Sequence, residues 1–164
     1  MRYKTLGTTG EKLSALTLGT WGIGGTGWGE TSQSNSLAAI DRMLELGVNL
    51  VDTAPVYGFG NPGEQDFGFG CAERLLAKAL KGRRDKVFLV TKCGLNYDRS
   101  KGPSSAYRSM SAQEIREGCE NSLRRLGTDY LDLLLVHWPD GKTPLEEVAQ
   151  AMEDLIRRGL IKYY

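Results

Sequence analysis

Four times in succession this chain runs from a short apolar stretch, through a break, into an apolar stripe of helical period. The stretches are 16–20, 48–52, 86–92 and 130–136. The stripes that follow are Leu37, Ile40, Met43 and Leu44; Leu75, Leu76, Ala79 and Leu80; Ile115, Cys119, Leu123 and Leu126; and Val148, Met152, Leu155 and Ile156. Apolar runs of five to seven residues suit strands, and i, i+3, i+4 stripes suit helices packed on one face. Strict strand–helix alternation builds an α/β fold with a parallel sheet and right-handed crossovers. Four such units are half of the eight in a TIM-type barrel, which takes about 250 residues.

The expected architecture is therefore a single domain over 1–164: a short N-terminal hairpin, then four (β/α) units forming a half-barrel. A fifth strand begins at 160–164. Helices are expected near 36–46 and 72–81, with Gly47 taking a left-handed exit after the first. Ser111 with Glu114 predicts a capping box at the start of the third helix, and Thr143-Pro144 with Glu146 predicts the same for the fourth, with proline in its first turn. The fourth strand is apolar almost throughout, the pattern of a strand covered on both faces. An unclosed half leaves two strand edges exposed, so a homodimer joined through them is one expectation.

Composition removes several classes of function. The 164 residues carry 21 Lys and Arg against 20 Asp and Glu, a formal charge of +1. That balance makes no electrostatic case for nucleic acid or a membrane surface. No apolar stretch approaches the roughly 20 residues of a membrane-spanning helix, and from the polar start no signal peptide is expected. Cys71, Cys93 and Cys119 are isolated and read as buried or incidental thiols of a cytoplasmic protein. One histidine and three dispersed cysteines supply no zinc set, so no metal is expected. A Ser/His/Asp hydrolase would need a G-x-S-x-G elbow, which is missing.

What remains is a set of ionisable residues at strand ends. Asp52, Lys92 and His137 close the second, third and fourth apolar runs, and Tyr57 follows Asp52 by five positions. In parallel α/β folds, ligand and catalytic groups gather at the carboxyl ends of strands. Asp52 alone could cap a turn, Lys92 could be a solvated strand end, and a lone histidine is more often a core residue. Adjacent strands lie ~4.8 Å apart, so their side chains can instead meet at one rim. An ammonium beside a phenol stabilises phenolate, which makes Tyr57 a general acid with Lys92 as its partner. A neutral imidazole can donate a hydrogen bond to a carbonyl oxygen. Together these groups suit polarising and protonating a carbonyl.

Residues 22–27 match G-x-G-x-x-G after a strand, the dinucleotide fingerprint of a doubly wound fold. That fingerprint requires a helix to begin among the glycines. Here Trp28, Gly29, Glu30 and a polar run intervene, so an aromatic-bearing rim loop is the preferred reading.

These residues, taken together, resemble the aldo-keto reductase superfamily. Leu18-Gly19-Thr20-Trp21 is similar to its first-strand motif, 49–58 to its Asp/Tyr motif, Val90-Thr91-Lys92 to its lysine motif, and 120–133 leading into Val136-His137-Trp138-Pro139-Asp140 to the approach to its histidine. The wording of the last motif resembles the bacterial branch related to potassium-channel β subunits. The resemblance implies a (β/α)₈ barrel that reduces aldehydes or ketones to alcohols with NADPH. It makes Tyr57 the proton donor, Lys92 its modulator, Asp52 the partner of Lys92, and His137 the group that orients the carbonyl. Gly19, Thr20, Trp21 and Asp52 would meet the cofactor, while Trp21, Tyr57, His137 and Trp138 would border a small carbonyl substrate.

Two departures stand out. Gly58-Phe59-Gly60 recurs as Gly68-Phe69-Gly70, which reads as an insertion over 61–70. The resemblance also reaches only the N-terminal half of the family's length. Most of the cofactor grip would lie in the other half, so the 164 residues alone are expected to be inactive or nearly so. The alternative is a non-catalytic half-barrel that acts as a binding or assembly module.

Overall fold

The computed structural model describes residues 1–25, 28, 29, 32–61 and 63–164. Strands β1 (Tyr3–Thr5) and β2 (Lys12–Ser14) pair antiparallel as the expected hairpin. β3 (Thr17–Gly19), helix α1 (Gln33–Glu45), β4 (Leu50–Asp52), α2 (Cys71–Ala79) and β5 (Phe88–Cys93) follow. A small ribbon of β6 (Leu95–Asn96) and β7 (Tyr107–Arg108) precedes α3 (Ala112–Leu126). Then come β8 (Leu131–Val136), α4 (Leu145–Arg157) and β9 (Ile161–Tyr163). The main sheet has the order β3-β4-β5-β8-β9 with every pairing parallel.

Period-two alternation divides each strand between two faces. Val51, Leu89 and Leu134 pack with Ile40, Leu76, Ile115, Cys119, Met152 and Leu155 under the helices. Leu50, Phe88, Val90, Leu133, Leu135 and Tyr163 line the other face, where Leu6 and Leu13 of the hairpin region join them. This second face encloses a cavity of about 360 Å³ that reaches from Leu6 and Leu13 to Gly19 and Asp52. The expectation that the fourth strand is covered on both faces is corrected here. Leu134 on the helix side is 1% exposed, whereas Leu133 and Leu135 are half-buried and Val136 is exposed. The hairpin region covers Phe88 and Val90, and beyond it the inner face has no facing layer among the described residues.

The caps match the sequence reading in part. α1 starts three residues before the expected 36, because Ser32 accepts from the Asn35 N–H at 3.2 Å and the polar first turn lies in solvent. Ser111 accepts from the Glu114 N–H, but the Glu114 carboxylate turns away to Asn96 and the Tyr107 hydroxyl, so the box is half made. The second box is a correction. Pro144 itself is the N-cap, ahead of the first turn, and the Thr143 hydroxyl donates to Asp140 at 2.7 Å. A carboxylate one turn earlier outcompetes the helix end for that hydroxyl.

Two buried carboxylates brace the scaffold. Glu73, fully buried on α2, accepts from Arg125 of α3 and from the Thr91 hydroxyl of β5. Asp132 accepts from Arg84, Lys162 and the Leu89 N–H, joining β5, β8 and β9 below the site. Cys71, Cys93 and Cys119 are free, and burial pushes the Cys93 and Cys119 thiols up to about 12, which makes them poor nucleophiles. Among the described residues no helix is long and apolar enough to cross a membrane.

Candidate active site

The site follows from strand periodicity. Asp52 stands two residues beyond Leu50, Lys92 two beyond Val90, and His137 two beyond Leu135, so all three continue the inner face. Register staggers them. Asp52 pairs with Val90, two positions short of Lys92, and Lys92 pairs with Leu135, two short of His137. Two residues are roughly 6.6 Å of strand. The four-carbon stem of Lys92 reaches back across that step.

There the ammonium meets four oxygens: both Asp52 carboxylate oxygens at 2.8 Å, the Thr53 carbonyl at 2.9 Å and the Tyr57 hydroxyl at 2.9 Å. Tyr57 arrives by a tight turn in which its N–H donates to the Ala54 carbonyl, while the Thr53 N–H is tied to the Val90 carbonyl. The Tyr57 hydroxyl donates to Asp52 Oδ1 at 3.2 Å, long for an O–H···O bond. The bond is thus weaker than an O–H···O contact of ordinary length. Lys92 is 11% exposed at its side chain and Asp52 31%, so the pair lies at the edge of solvent.

His137 sits edge-on to Tyr57, ring centroids 6.0 Å apart, and stacks on Trp138 at 3.7 Å. Burial, then the neighbouring Lys92 ammonium, push its pKa down to about 4 against a partial pull from Asp52. At neutral pH the imidazole is uncharged and carries one N–H to donate. On the opposite flank Trp21 stacks on Tyr57 at 6.2 Å, and Trp28 meets Trp21 edge-on at 5.4 Å. Both indoles are exposed.

The structure thus brings Asp52, Tyr57, Lys92, His137, Trp21 and Trp138 together at one rim. Thr20 is placed differently: it is fully buried, and its hydroxyl bonds the Asp52 carbonyl and Thr53. Its side chain braces the rim from behind instead of lining it. Gly19 lies beside Asp52 with open space where a Cβ would be. Sequence reasoning missed the Thr53 carbonyl, because a backbone acceptor leaves no residue signature, and passed over Trp28 as loop.

The glycine-rich stretch is a short turn over Gly22–Gly24, and no α-helix begins before Gln33 among the described residues. Thr26 and Gly27 of that motif, like Glu30, lie outside the described residues. Gly24 has its own reason: a Cβ there would come within 2.5–2.8 Å of the Tyr57–Gly58 backbone. Of the 61–70 segment, Pro62 lies outside the described residues. The rest folds back on the site loop, Gly60 and Asn61 N–H donating to the Phe67 carbonyl. Phe59, Phe69 and Tyr97 cluster there with centroids 4.7–5.2 Å apart. Among the described residues no group of three His, Cys, Asp or Glu could hold a metal ion.

A model of the Aldo/keto reductase family matches residues 15–164. The chain belongs to this family. It is 42% identical to the aldo-keto reductase YhdN of Bacillus subtilis, over 99% of this chain and 45% of that protein. It is 37% identical to an NADH-specific methylglyoxal reductase of Escherichia coli, over 99% of this chain and 50% of that one. Among solved structures, the holo form of aldo-keto reductase AKR11C1 from Bacillus halodurans matches with a TM-score of 0.84 at 34% identity, covering all of this chain and 49% of that one. The glycerol dehydrogenase AKR11B4 of Gluconobacter oxydans matches at 0.78 and 36%, over 97% and 46%. The chain spans about half the length of these relatives. Its membership of the family and its parallel α/β fold agree with the resemblance and the strand–helix alternation read from the residues.

Proposed function

We propose that this aldo-keto reductase chain carries the acid–base half of a carbonyl reductase that uses NADPH to turn aldehydes or ketones into alcohols. The reading rests above all on the Lys92 ammonium, held between the Asp52 carboxylate and the Tyr57 hydroxyl.

A carbonyl oxygen seated between Tyr57 Oη and the His137 N–H has one proton donor and one orienting donor. The reduced nicotinamide supplies, when bound, the hydride taken up by the carbonyl carbon. Tyr57 gives its proton to the oxygen as negative charge gathers there, and the alcohol leaves. The phenolate that remains lies 2.9 Å from the Lys92 ammonium, which Asp52 keeps in place. Such positioned proton transfer contributes roughly 10²–10⁴-fold to rate. The neutral state of His137 suits a hydrogen-bond donor that must not compete with Tyr57 for the proton.

The nicotinamide end of the cofactor fits the residues present. Gly19 opens onto free space beside Asp52, and the Trp21 indole is an exposed flat surface stacked on Tyr57. Gly19, Trp21 and Asp52 would hold that end. The remainder of the grip belongs, on this reading, to the part of an eight-unit barrel that relatives carry beyond the matched half. Two Escherichia coli relatives, each 37% identical, are methylglyoxal reductases, one of them NADH-specific. Small reactive aldehydes are therefore the substrates to try first, with both cofactors. Three free thiols fit a reducing cytoplasm.

The test is NADPH oxidation with 4-nitrobenzaldehyde. The 164-residue chain alone should turn over little, since most of the dinucleotide grip lies elsewhere. Robust turnover abolished in Tyr57→Phe would keep the chemistry and refute the dependence on a second half. A second reading rests on the part of the inner face beyond the hairpin, where Leu50, Leu133 and Leu135 are only half-buried. Two copies joined at the free edges of β3 and β9 would cover it, and sedimentation at low micromolar concentration distinguishes dimer from monomer.

A further inference from the structure

Asp140 makes four hydrogen bonds with its carboxylate. Oδ1 accepts from the N–H groups of Lys142 and Thr143, both at 2.9 Å. Oδ2 accepts from the Thr143 hydroxyl at 2.7 Å and from the Met110 N–H at 2.9 Å. Three of these partners are local. The fourth comes from thirty residues earlier, on the segment that leads out of the β6–β7 ribbon into α3.

That fourth bond crosses a close backbone junction. The His137 N–H donates to the Cys93 carbonyl at 2.9 Å, and Ser109 N–H reaches the Gly94 carbonyl at 3.3 Å. Gly94 has φ +103°, and a Cβ there would lie 2.6 Å from Met110 Sδ and 3.0 Å from the Trp138 carbonyl. Residues 93–94, 109–110 and 137–138 are thus stacked against one another directly after Lys92. Asp140 is the side chain that ties the last of these segments to the second.

We propose that Asp140 is a positioning residue for the site. Its bond to Met110 clamps the turn bearing His137 and Trp138 onto the backbone that leaves Lys92, and so sets the imidazole against the Tyr57 hydroxyl. The proposal rests on the reading that His137 orients the carbonyl. The ordinary alternative is a loop carboxylate that merely tidies the entry to α4. In that case its loss would disturb 140–145 and leave His137 where it is.

The chemistry of the carboxylate separates these. Four donors pointing at it hold Asp140 well below the usual carboxylate range. An amide has one acceptor oxygen where the carboxylate has two. The Asp140→Asn side chain can therefore satisfy either the Lys142 and Thr143 N–H pair or the Met110 side, but not both. Thr143→Val removes one local bond and keeps the clamp.

His137 is the only histidine in the chain, so its imidazole signals in an NMR spectrum need no assignment. In the native protein the stacked Trp138 ring should move them upfield, and burial with the Lys92 ammonium should hold their midpoint down at about 4. In Asp140→Ala the signals should move toward those of free histidine, and the midpoint should rise by about one pH unit or more. Asp140→Asn should fall between, and Thr143→Val should match the native protein. If Asp140→Ala does not fold, by circular dichroism, Asp140→Ser carries the test, because its short hydroxyl can serve the local N–H groups but does not reach Met110. A folded Asp140→Ala or Asp140→Ser with native His137 shifts and midpoint would overturn the proposal. Displaced His137 signals, with equal turnover by native and Tyr57→Phe chains each complemented by the second half of a relative, would uphold the positioning and remove the catalytic reading on which its purpose rests.

Discussion

The Lys92 ammonium and the Tyr57 hydroxyl stand 2.9 Å apart although 35 residues separate them in the chain. One sits at the end of a central strand and the other in the loop after its neighbour. Parallel pairing of β4 with β5 brings them to one rim, and Asp52 bonds both.

Lys92→Met should therefore cost both activity and stability. It leaves the Thr53 carbonyl without its donor and Asp52 with the long Tyr57 bond at a partly buried site, a loss of about 1–3 kcal/mol. Urea unfolding should report a loss in that range, and turnover of the chain co-expressed with the second half of a relative should fall by roughly 10²–10⁴-fold.

His137 gives stability a pH signature. Its folded pKa is about 4 against an ordinary 6.5, so between those values the unfolded chain binds more protons. Stability should rise with pH across that window and fall as pH drops from 6.5 to about 4. Above 6.5 the imidazole is neutral in both states and adds no slope. Since carboxylates also titrate there, the quantity to measure is the difference from His137→Gln, which should lose this component.

Asp132→Ala should unfold the scaffold without touching the chemistry. The carboxylate is 2% exposed and serves Arg84, Lys162 and the Leu89 N–H below the site. Removing one partner of a buried charge network costs about 3–5 kcal/mol. Denaturation should show that loss, while residual folded protein keeps native His137 signals.

Gly24→Ala probes the rim from the other side. The added Cβ meets backbone at 2.5–2.8 Å, which cannot rotate away as a side chain would. Overpacking of this kind costs about 1–3 kcal/mol. The strain should appear as a lower unfolding midpoint and as a weaker Tyr57-dependent rate, because the Tyr57–Gly58 backbone is what must move.

How far the sequence reaches can be judged from these residues. Asp52, Lys92 and His137 are legible because apolar runs end at each and period-two alternation puts them on one face. Tyr57 is legible only through its motif, since a turn at Ala54 decides where a loop residue points. Glu73 and Asp132 are not legible: a charged residue within an apolar pattern looks like a solvated position until its partners, 52 and 48 residues away, are placed beside it. Spacing misassigns Thr143 because Asp140 competes for its hydroxyl, a contest that spacing alone does not reveal. Thr20 follows the motif to the right strand end but turns its side chain inward.

Proton donation by Tyr57 is best tested by complementation. The 164-residue chain would be co-expressed with the complementary second half of the Bacillus subtilis relative, and NADPH oxidation with methylglyoxal or 4-nitrobenzaldehyde followed for native and Tyr57→Phe chains. Turnover is expected in the native pair, with a fall of roughly 10²–10⁴-fold in the variant. Equal turnover by the two would show that the Tyr57 hydroxyl is not the proton donor.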